Sequence, residues 1–92
     1  MGYFVYIVES VSTGKRYVGH TDDLDRRFGQ HNCREHNPCK YTSRNRGPWK
    51  LIYHEQYATR SEAMRREKWL KSGTGRLWII ENIGRASPPK AD

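Results

Sequence analysis

The residues that follow the N-terminal Met-Gly pair limit most strongly how this chain can fold. Residues 3–8 are all aromatic or β-branched and include no Ala, Leu or Lys. Such a run is typical of a strand that is covered on both faces. A cluster of turn residues follows at 10–14, and residues 15–19 then resume a short strand. The chain is therefore predicted to begin with a β-hairpin whose loop has about three to five residues.

A helix is predicted directly after this hairpin. Thr21 is a candidate N-cap for it, and the helix would cover residues 22–32, with Leu24 and Phe28 one turn apart on its apolar side. Residues 33–47 contain Asn, Pro and Gly together with several basic side chains. This stretch is therefore predicted to be a basic loop.

One strand and two helices are predicted in the second half of the chain. Apolar residues alternate over residues 49–57, which predicts a strand. The alternation places three residues on one face of that strand: Trp49, Leu51 and Tyr53. Thr59 and Glu62 match a capping box for the next helix, and Gly73 is a candidate left-handed C-cap at its end. A last helix is predicted from Thr74, carrying Leu77, Trp78, Ile80 and Ile83.

The predicted order β-β-α-β-α-α indicates an α+β fold with a three-stranded antiparallel sheet flanked by helices. The 92 residues fit one domain, predicted over residues 1–84, with a disordered tail at 85–92. No apolar run approaches the ~18 residues of a membrane-spanning helix, and the N-terminus lacks a signal-peptide pattern. The two cysteines are expected to be reduced thiols, so a cytoplasmic location is predicted.

The charge of the chain favours an acidic partner. Lys and Arg number 17 and Asp and Glu number 10, which gives a net charge of +7. Attraction to nucleic-acid phosphate is the commonest use of such an excess, although plain solubility is the alternative. Candidate nucleic-acid contacts lie after the second strand, in the basic loop and on the later helix: His20, Lys40, Arg44, Arg46, Arg66 and Lys71.

Two tyrosines of the hairpin are predicted to share one face of the sheet. Side chains alternate along a strand. If a loop of two or four residues joins the strands, paired residue numbers sum to an odd value, so Tyr6 and Tyr17 point the same way. Two phenols on a face that also needs core residues are unusual, because each hydroxyl requires a partner. The alternative is that both are ordinary core or edge tyrosines.

The first predicted helix adds two basic side chains at the border of its apolar stripe. Leu24, Phe28 and His31 define that stripe, Arg27 lies at its edge, and Arg26 points into water. Arg27 and His31 are therefore candidates for a site beside the hairpin. The alternative is that Arg27 extends to solvent along the apolar surface and that His31 caps the helix end.

One carboxylate falls inside an apolar stripe. Ala63, Glu67 and Leu70 lie on one side of the second predicted helix, which places Glu67 among core residues. A buried carboxylate is costly unless it is paired or bound to a metal. The alternatives are a metal ligand and a salt bridge to an arginine at the edge of the core.

Four residues with zinc-binding side chains lie within nine positions: His31, Cys33, His36 and Cys39. Structural zinc sites usually take pairs of ligands from two separate elements. The spacing therefore favours a loop with reduced thiols over a zinc site.

The ordered set of these residues resembles the GIY-YIG nuclease family. Val5-Tyr6-Ile7 stands for the first tripeptide, Tyr17-Val18-Gly19 for the second, and Arg27, His31 and Glu67 follow in order over residues 3–82. Among members of the family the chain looks most like small stand-alone bacterial proteins. The excinuclease C incision domain, which carries a lysine at the position of His20, and the intron homing endonucleases are more distant likenesses.

The resemblance implies hydrolysis of a DNA phosphodiester with one divalent metal ion, Mg²⁺ or Mn²⁺. Glu67 would hold the metal through a carboxylate oxygen, and Arg27 would clamp phosphate oxygens. Tyr6 and Tyr17 would position the attacking water and help to deprotonate it. The same resemblance gives His31 a part in proton transfer and makes Gly19 a point of close backbone approach.

These observations together predict a metal-dependent DNA endonuclease directed by DNA structure, on branched or damaged DNA, in repair or recombination. The alternative function is a basic nucleic-acid-binding module that has the same fold and cleaves poorly. A monomer is the default expectation.

Overall fold

A computed structural model describes residues 2–32 and 48–84 of the chain, apart from the side chain of His31. Six elements follow in the predicted order: β1 (Tyr3–Ser10), β2 (Arg16–Thr21), α1 (Leu24–His31), β3 (Trp49–Tyr57), α2 (Arg60–Leu70) and α3 (Gly73–Asn82). The predicted α+β class and element order are therefore confirmed. The predicted loop over 33–47 and tail over 85–92 lie outside the described residues.

The three strands form one antiparallel sheet in the order β2-β1-β3. Because β1 lies in the centre and both sheet faces are covered, its residues 5–10 are all buried. In the hairpin, Tyr6 pairs with Gly19 and Val8 pairs with Tyr17. The two residue numbers of each pair sum to an odd value. The prediction that Tyr6 and Tyr17 point to the same face of the sheet is therefore confirmed.

Helices cover both faces of the sheet. On one face, Val5 and Ile7 pack with Ala63 and Leu70 of α2 and Ile79 of α3. The opposite face has a smaller apolar cluster against α1, and its members are Tyr6, Val8, Tyr17, Leu24, Phe28, Trp49 and Leu51. The hairpin tyrosines therefore lie on the α1 side of the sheet, while α2 lies on the other side.

The side-chain alternation predicted for β3 is wrong at Tyr53. Ile7 pairs with Tyr53 and Val8 pairs with Leu51, so the pairing skips Ile52. Such a bulge reverses the alternation along the strand. Leu51 therefore packs on the α1 side, whereas Tyr53 packs against the core beneath α2 and α3.

The predicted start of α1 is wrong by two residues. Asp23, not Thr21, is the N-cap, and its side chain accepts a hydrogen bond from the Arg26 N–H. Thr21 is the last residue of β2, and its hydroxyl bonds to the backbone of Asp23. The threonine therefore stabilises the connection between strand and helix instead of capping the helix.

The predicted C-cap of α2 is also wrong. Lys71 is the C-cap in a right-handed conformation, and Gly73 is already the first residue of α3, whose N-cap is Ser72. A Cβ at Gly75 would overlap the backbone of Trp69 and Leu70. Gly75 is therefore required for the close contact between the end of α2 and the start of α3.

Two of the four apolar residues predicted on the last helix, Trp78 and Ile83, pack against the core. Gly75 and Ile79 are the buried residues of α3, whereas Leu77 is 62% and Ile80 is 42% exposed.

No helix within residues 2–32 and 48–84 has the length and apolar content needed to cross a membrane.

Candidate active site

Tyr6 and Tyr17 share one face of the hairpin, as the strand parity predicts. Their ring centroids lie 6.4 Å apart with the ring planes tilted. Tyr6 on the central strand is almost fully buried, whereas Tyr17 on the edge strand is partly exposed. Tyr17 is therefore accessible from the edge of the sheet, and Tyr6 supports it from within.

Gly19 provides the space that Tyr6 occupies. The two residues pair directly across β1 and β2. A Cβ at Gly19 would lie 2.6 Å from the Tyr6 hydroxyl oxygen and 2.9 Å from the Tyr17 ring. The absence of a side chain at Gly19 therefore makes room for the two phenol rings. The close backbone approach that the family resemblance implies for Gly19 stays a prediction.

Glu67 lies on α2, on the other side of the edge strand, and contacts His20 of β2. The His20 Nδ1 donates to Glu67 Oε1 over 3.0 Å. The Glu67 side chain is 20% exposed, whereas its stripe neighbours Ala63 and Leu70 are fully buried. Glu67 is therefore at the rim of the apolar stripe, and its partner here is a histidine instead of the arginine considered from the sequence.

Lys71 also lies beside Glu67 and reaches Tyr17. Its Nζ lies 3.6 Å from Glu67 Oε2 and 5.2 Å from the centroid of the Tyr17 ring. The lysine follows the glutamate by one helical turn, a spacing at which opposite charges meet. A continuous set of contacts therefore runs from Tyr6 through Tyr17 and Lys71 to Glu67 and His20. This set is called the edge cluster below.

The two arginines of α1 differ in the way the helical phase predicts. Arg26 is exposed and pairs with Asp22 over 2.9 Å. Arg27 is half-buried, and its hydrogen bond within the described residues goes to Gln30 over a long 3.5 Å. Because α1 packs on the tyrosine face of the sheet, Arg27 belongs to the helix that borders Tyr6 and Tyr17.

Several candidate residues lie outside the described part of the chain. Lys40, Arg44 and Arg46 of the predicted basic loop belong to it, so their predicted contacts with nucleic acid stay predictions. His31 is the last residue of α1, and its side chain is not described. The zinc alternative falls in the same stretch, since Cys33, His36 and Cys39 are not described either.

Arg66, a further candidate for nucleic-acid contact, faces the protein. Its Nε and one terminal nitrogen donate to the two oxygens of Glu55 over 2.9 and 3.0 Å. The guanidinium carbon also lies 4.6 Å from the ring centroids of both Trp69 and Trp78. The two hydrogen bonds use two of the five N–H donors of Arg66, and the contacts join α2 to β3 and α3.

Glu55 is the centre of this group, which sequence reasoning missed. Its carboxylate also accepts hydrogen bonds from the hydroxyls of Tyr53 and Tyr57. Burial acts to raise the pKa of Glu55, but the hydrogen bonds from Arg66 and the two tyrosines bring that pKa below its usual value. Burial and the bond to Glu55 raise the pKa of Tyr53 to about 12. The group holds α2 against β3, and this contact fixes which side of α2 presents Glu67 to β2.

The described residues suit a hard divalent ion bound through few protein ligands. Within residues 2–32 and 48–84, no group of three or more His, Cys, Asp and Glu side chains comes together as a metal cage. Mg²⁺ usually keeps several waters and takes one or two carboxylates together with substrate phosphates. The partly exposed carboxylate of Glu67 fits that requirement, and it could hold Mg²⁺ or Mn²⁺ with water and phosphate as the remaining ligands.

The sequence and the fold belong to a known class of domain. The sequence profile of the GIY-YIG catalytic domain matches residues 2–78. The chain therefore belongs to the GIY-YIG family, which is a nuclease family. The resemblance inferred from the tyrosine, glycine, arginine, histidine and glutamate positions is confirmed.

Within this family the chain is similar to the small UPF0213 proteins. It is 44% identical over 72 residues to a UPF0213 protein of Haloquadratum walsbyi, covering 78% of this chain and 76% of that one. A UPF0213 protein of Staphylococcus aureus is 42% identical over 72 residues, 78% of this chain and 83% of the relative. The solution NMR structure of a UPF0213 protein from Bacillus halodurans is 34% identical, with a TM-score of 0.53, covering 91% of this chain and 87% of that one.

Proposed function

We propose that this protein is a metal-dependent DNA endonuclease whose chemistry takes place at the edge cluster. The observation that carries the proposal is the placement of Glu67. The partly exposed carboxylate of Glu67 lies at the same edge strand that carries Tyr17. Lys71, on the same helix as Glu67, contacts both the carboxylate and the Tyr17 ring. A carboxylate and a phenol at one accessible edge are side chains that hydrolysis of a phosphodiester can use.

Each residue of the site has a role that follows from its chemistry. Glu67 would hold the divalent ion, which supplies charge neutralisation at the phosphate when bound. Arg27 would clamp phosphate oxygens, for which a planar guanidinium is suited. Tyr17 would position the attacking water and assist its deprotonation, supported by Tyr6. His31 completes the proposed set through a proton-transfer role.

The substrate proposed is DNA recognised through its backbone and shape. The net charge of +7 favours contacts with phosphates, which position a protein on DNA but carry no sequence information. Branched or damaged DNA, as in repair or recombination, is therefore the substrate class that we propose. Lys40, Arg44, Arg46, His20 and Lys71 are the proposed basic contacts that a cleavage substrate would meet.

The experiment is cleavage of supercoiled plasmid and of branched DNA, with and without Mg²⁺ or Mn²⁺, by the protein and two variants. Glu67→Gln should abolish metal-dependent cleavage while DNA binding survives. Glu81→Gln is the matched control, because Glu81 is an exposed carboxylate on α3, and it should cleave at the rate of the unmodified protein. Metal-dependent cleavage by Glu67→Gln at the unmodified rate would contradict the role of Glu67.

A second candidate function is binding of nucleic acid with little cleavage. It is favoured by the contacts of Glu67, because His20 and Lys71 supply the carboxylate with partners that need no metal. In that case the plasmid assay would show no metal-dependent nicking by any variant, although the protein would still bind DNA. Cleavage that requires both metal and Glu67 excludes this second function.

A further inference from the structure

The carboxylate of Glu67 has different surroundings at its two oxygens. Oε1 accepts from His20 over 3.0 Å, a distance typical of a hydrogen bond. Oε2 faces the Lys71 ammonium at 3.6 Å, which is an ion pair without close contact. His20 therefore holds the carboxylate in place at one oxygen, and in the described part of the chain the other oxygen faces the flexible Lys71 cation.

Lys71 can leave that position at little cost. Its side chain is 45% exposed, and ion pairs at such positions are weak because solvent screens them. The ammonium also lies over the Tyr17 ring, so it stands between the proposed metal ligand and the proposed water-positioning phenol. A divalent ion bound to Oε2 and the ammonium would occupy neighbouring space and repel each other.

We propose that Lys71 is a tethered cation that occupies the Oε2 side of Glu67 in the metal-free protein and is exchanged for the divalent ion. This inference rests on the proposed function, since it requires Glu67 to be the metal ligand. Lys71 thereby lowers the metal affinity of the free protein. The displaced ammonium stays beside Tyr17, where a DNA phosphate can take it as a partner, so that DNA binding favours metal binding.

The test measures Mn²⁺ affinity of the free protein by electron paramagnetic resonance, without DNA and without turnover. Lys71→Met should bind Mn²⁺ about 3- to 10-fold more tightly, because a positive charge and a competitor for Oε2 are both removed. Lys68→Met is the matched control: Lys68 is an exposed residue of α2 that makes no ion pair with Glu67 in the described part of the chain. It should change the affinity less than about 2-fold. Lys71→Arg keeps the charge and should stay near the unmodified affinity.

The outcomes separate the two proposals. If Lys71→Met binds Mn²⁺ no more tightly than Lys68→Met while Glu67→Gln still weakens binding, the tethered-cation proposal is wrong and the metal role of Glu67 stands. If Glu67→Gln binds Mn²⁺ as well as the unmodified protein does, Glu67 is not the metal ligand and both proposals fail.

A second measurement tests the link to DNA. In an Arg27→Ala background, which limits cleavage under the proposed function, duplex DNA is added to saturation and Mn²⁺ affinity is measured again. The affinity advantage of Lys71→Met should shrink towards 1-fold, because phosphate has drawn the ammonium of the unmodified residue away from Glu67. An advantage that is the same with and without DNA would contradict the exchange of partners.

Discussion

Tyr6 and Gly19 face each other across the central and edge strands, and the phenol fills the space where a side chain of residue 19 would stand. A Cβ at Gly19 would lie 2.6 Å from the Tyr6 hydroxyl oxygen and 2.8 Å from its ring carbon Cζ. Both distances are shorter than van der Waals contact allows. The glycine of the Tyr17-Val18-Gly19 tripeptide therefore determines where the tyrosine of the first strand can lie.

Gly19→Ala is expected to impair cleavage more than folding. The new methyl group displaces the Tyr6 and Tyr17 rings together, because both lie within 3 Å of it. Overpacking of this kind costs about 1–3 kcal/mol, while misplacement of reacting groups by about 1 Å can cost on the order of 100-fold in rate. Single-turnover cleavage and urea denaturation measure the two effects.

Gly29→Ala is the control for that substitution. Gly29 lies within α1, and a Cβ there meets nothing within 4 Å. Alanine is favoured over glycine in a helix by about 1 kcal/mol, so this variant should be as stable as the unmodified protein or more stable and should cleave normally. An equal loss of cleavage in both variants would show that the methyl group at position 19 has no specific effect on the tyrosines.

The hydrogen bonds to Glu55 are expected to make folding stability depend on pH. Since the pKa of Glu55 is lowered in the folded protein, the ionised carboxylate stabilises the fold at pH values above its unfolded pKa. That contribution is lost as the pH falls through the lowered folded value. Glu55→Gln should cost about 1–3 kcal/mol near pH 7, and its deficit in melting temperature should shrink as the pH falls from the unfolded pKa of Glu55 through its lowered folded pKa.

The matched control for Glu55 is Glu81→Gln, since Glu81 is exposed on α3. Its melting temperature should follow that of the unmodified protein across the same pH range. A deficit of Glu55→Gln that is constant with pH would mean that the Glu55 carboxylate and its hydrogen bonds do not carry the effect.

The features that the sequence predicted well depend on local patterns. The alternation of side chains along the hairpin predicted that Tyr6 and Tyr17 share one face. This prediction holds because the pairing of β1 with β2 is regular between the two residues. No feature of the sequence indicates the bulge at Ile52, because a bulge depends on how the strand pairs with its neighbour. The position of Tyr53 therefore could not be derived from alternation alone.

The contacts of the candidate site also include some that the sequence indicates and some that it does not. The pair of Glu67 and Lys71 has the i,i+4 spacing of a helical ion pair, and this signal was available in the sequence. The contact of Glu67 with His20 joins residues 47 positions apart, and that of Glu55 with Arg66 joins a strand to a helix. Such contacts depend on how α2 packs against the sheet, which no local pattern specifies.

The capping role of Asp23 gives a prediction about stability. Asp23→Ala removes the side chain that accepts from the Arg26 N–H and should cost about 1 kcal/mol in the free energy of unfolding. Asp22→Ala removes only the exposed pair with Arg26, so it should cost at most about 0.5 kcal/mol. Urea denaturation of both variants checks this order, and the reverse order would assign the cap to Asp22.

The two arginines of α1 are expected to separate catalysis from binding. Arg27 is half-buried on the helix that borders the tyrosines, whereas Arg26 is exposed and pairs with Asp22. An arginine that meets the scissile phosphate mainly in the transition state lowers the rate by orders of magnitude when it is removed. Arg27→Ala should therefore lose cleavage with a modest loss of DNA affinity, as measured by single-turnover rates and titration.

Arg26→Ala should show the opposite pattern. An exposed arginine that contacts backbone phosphate contributes about one unit to the slope of log affinity against log salt, so its loss should weaken binding a few-fold and leave the single-turnover rate unchanged. Arg27→Lys should restore the rate only in part, because an ammonium cannot make the two parallel hydrogen bonds of a guanidinium. If Arg26→Ala is the slower enzyme, the exposed side of α1 faces the scissile phosphate, and the tyrosine face of the sheet is not where DNA is cut.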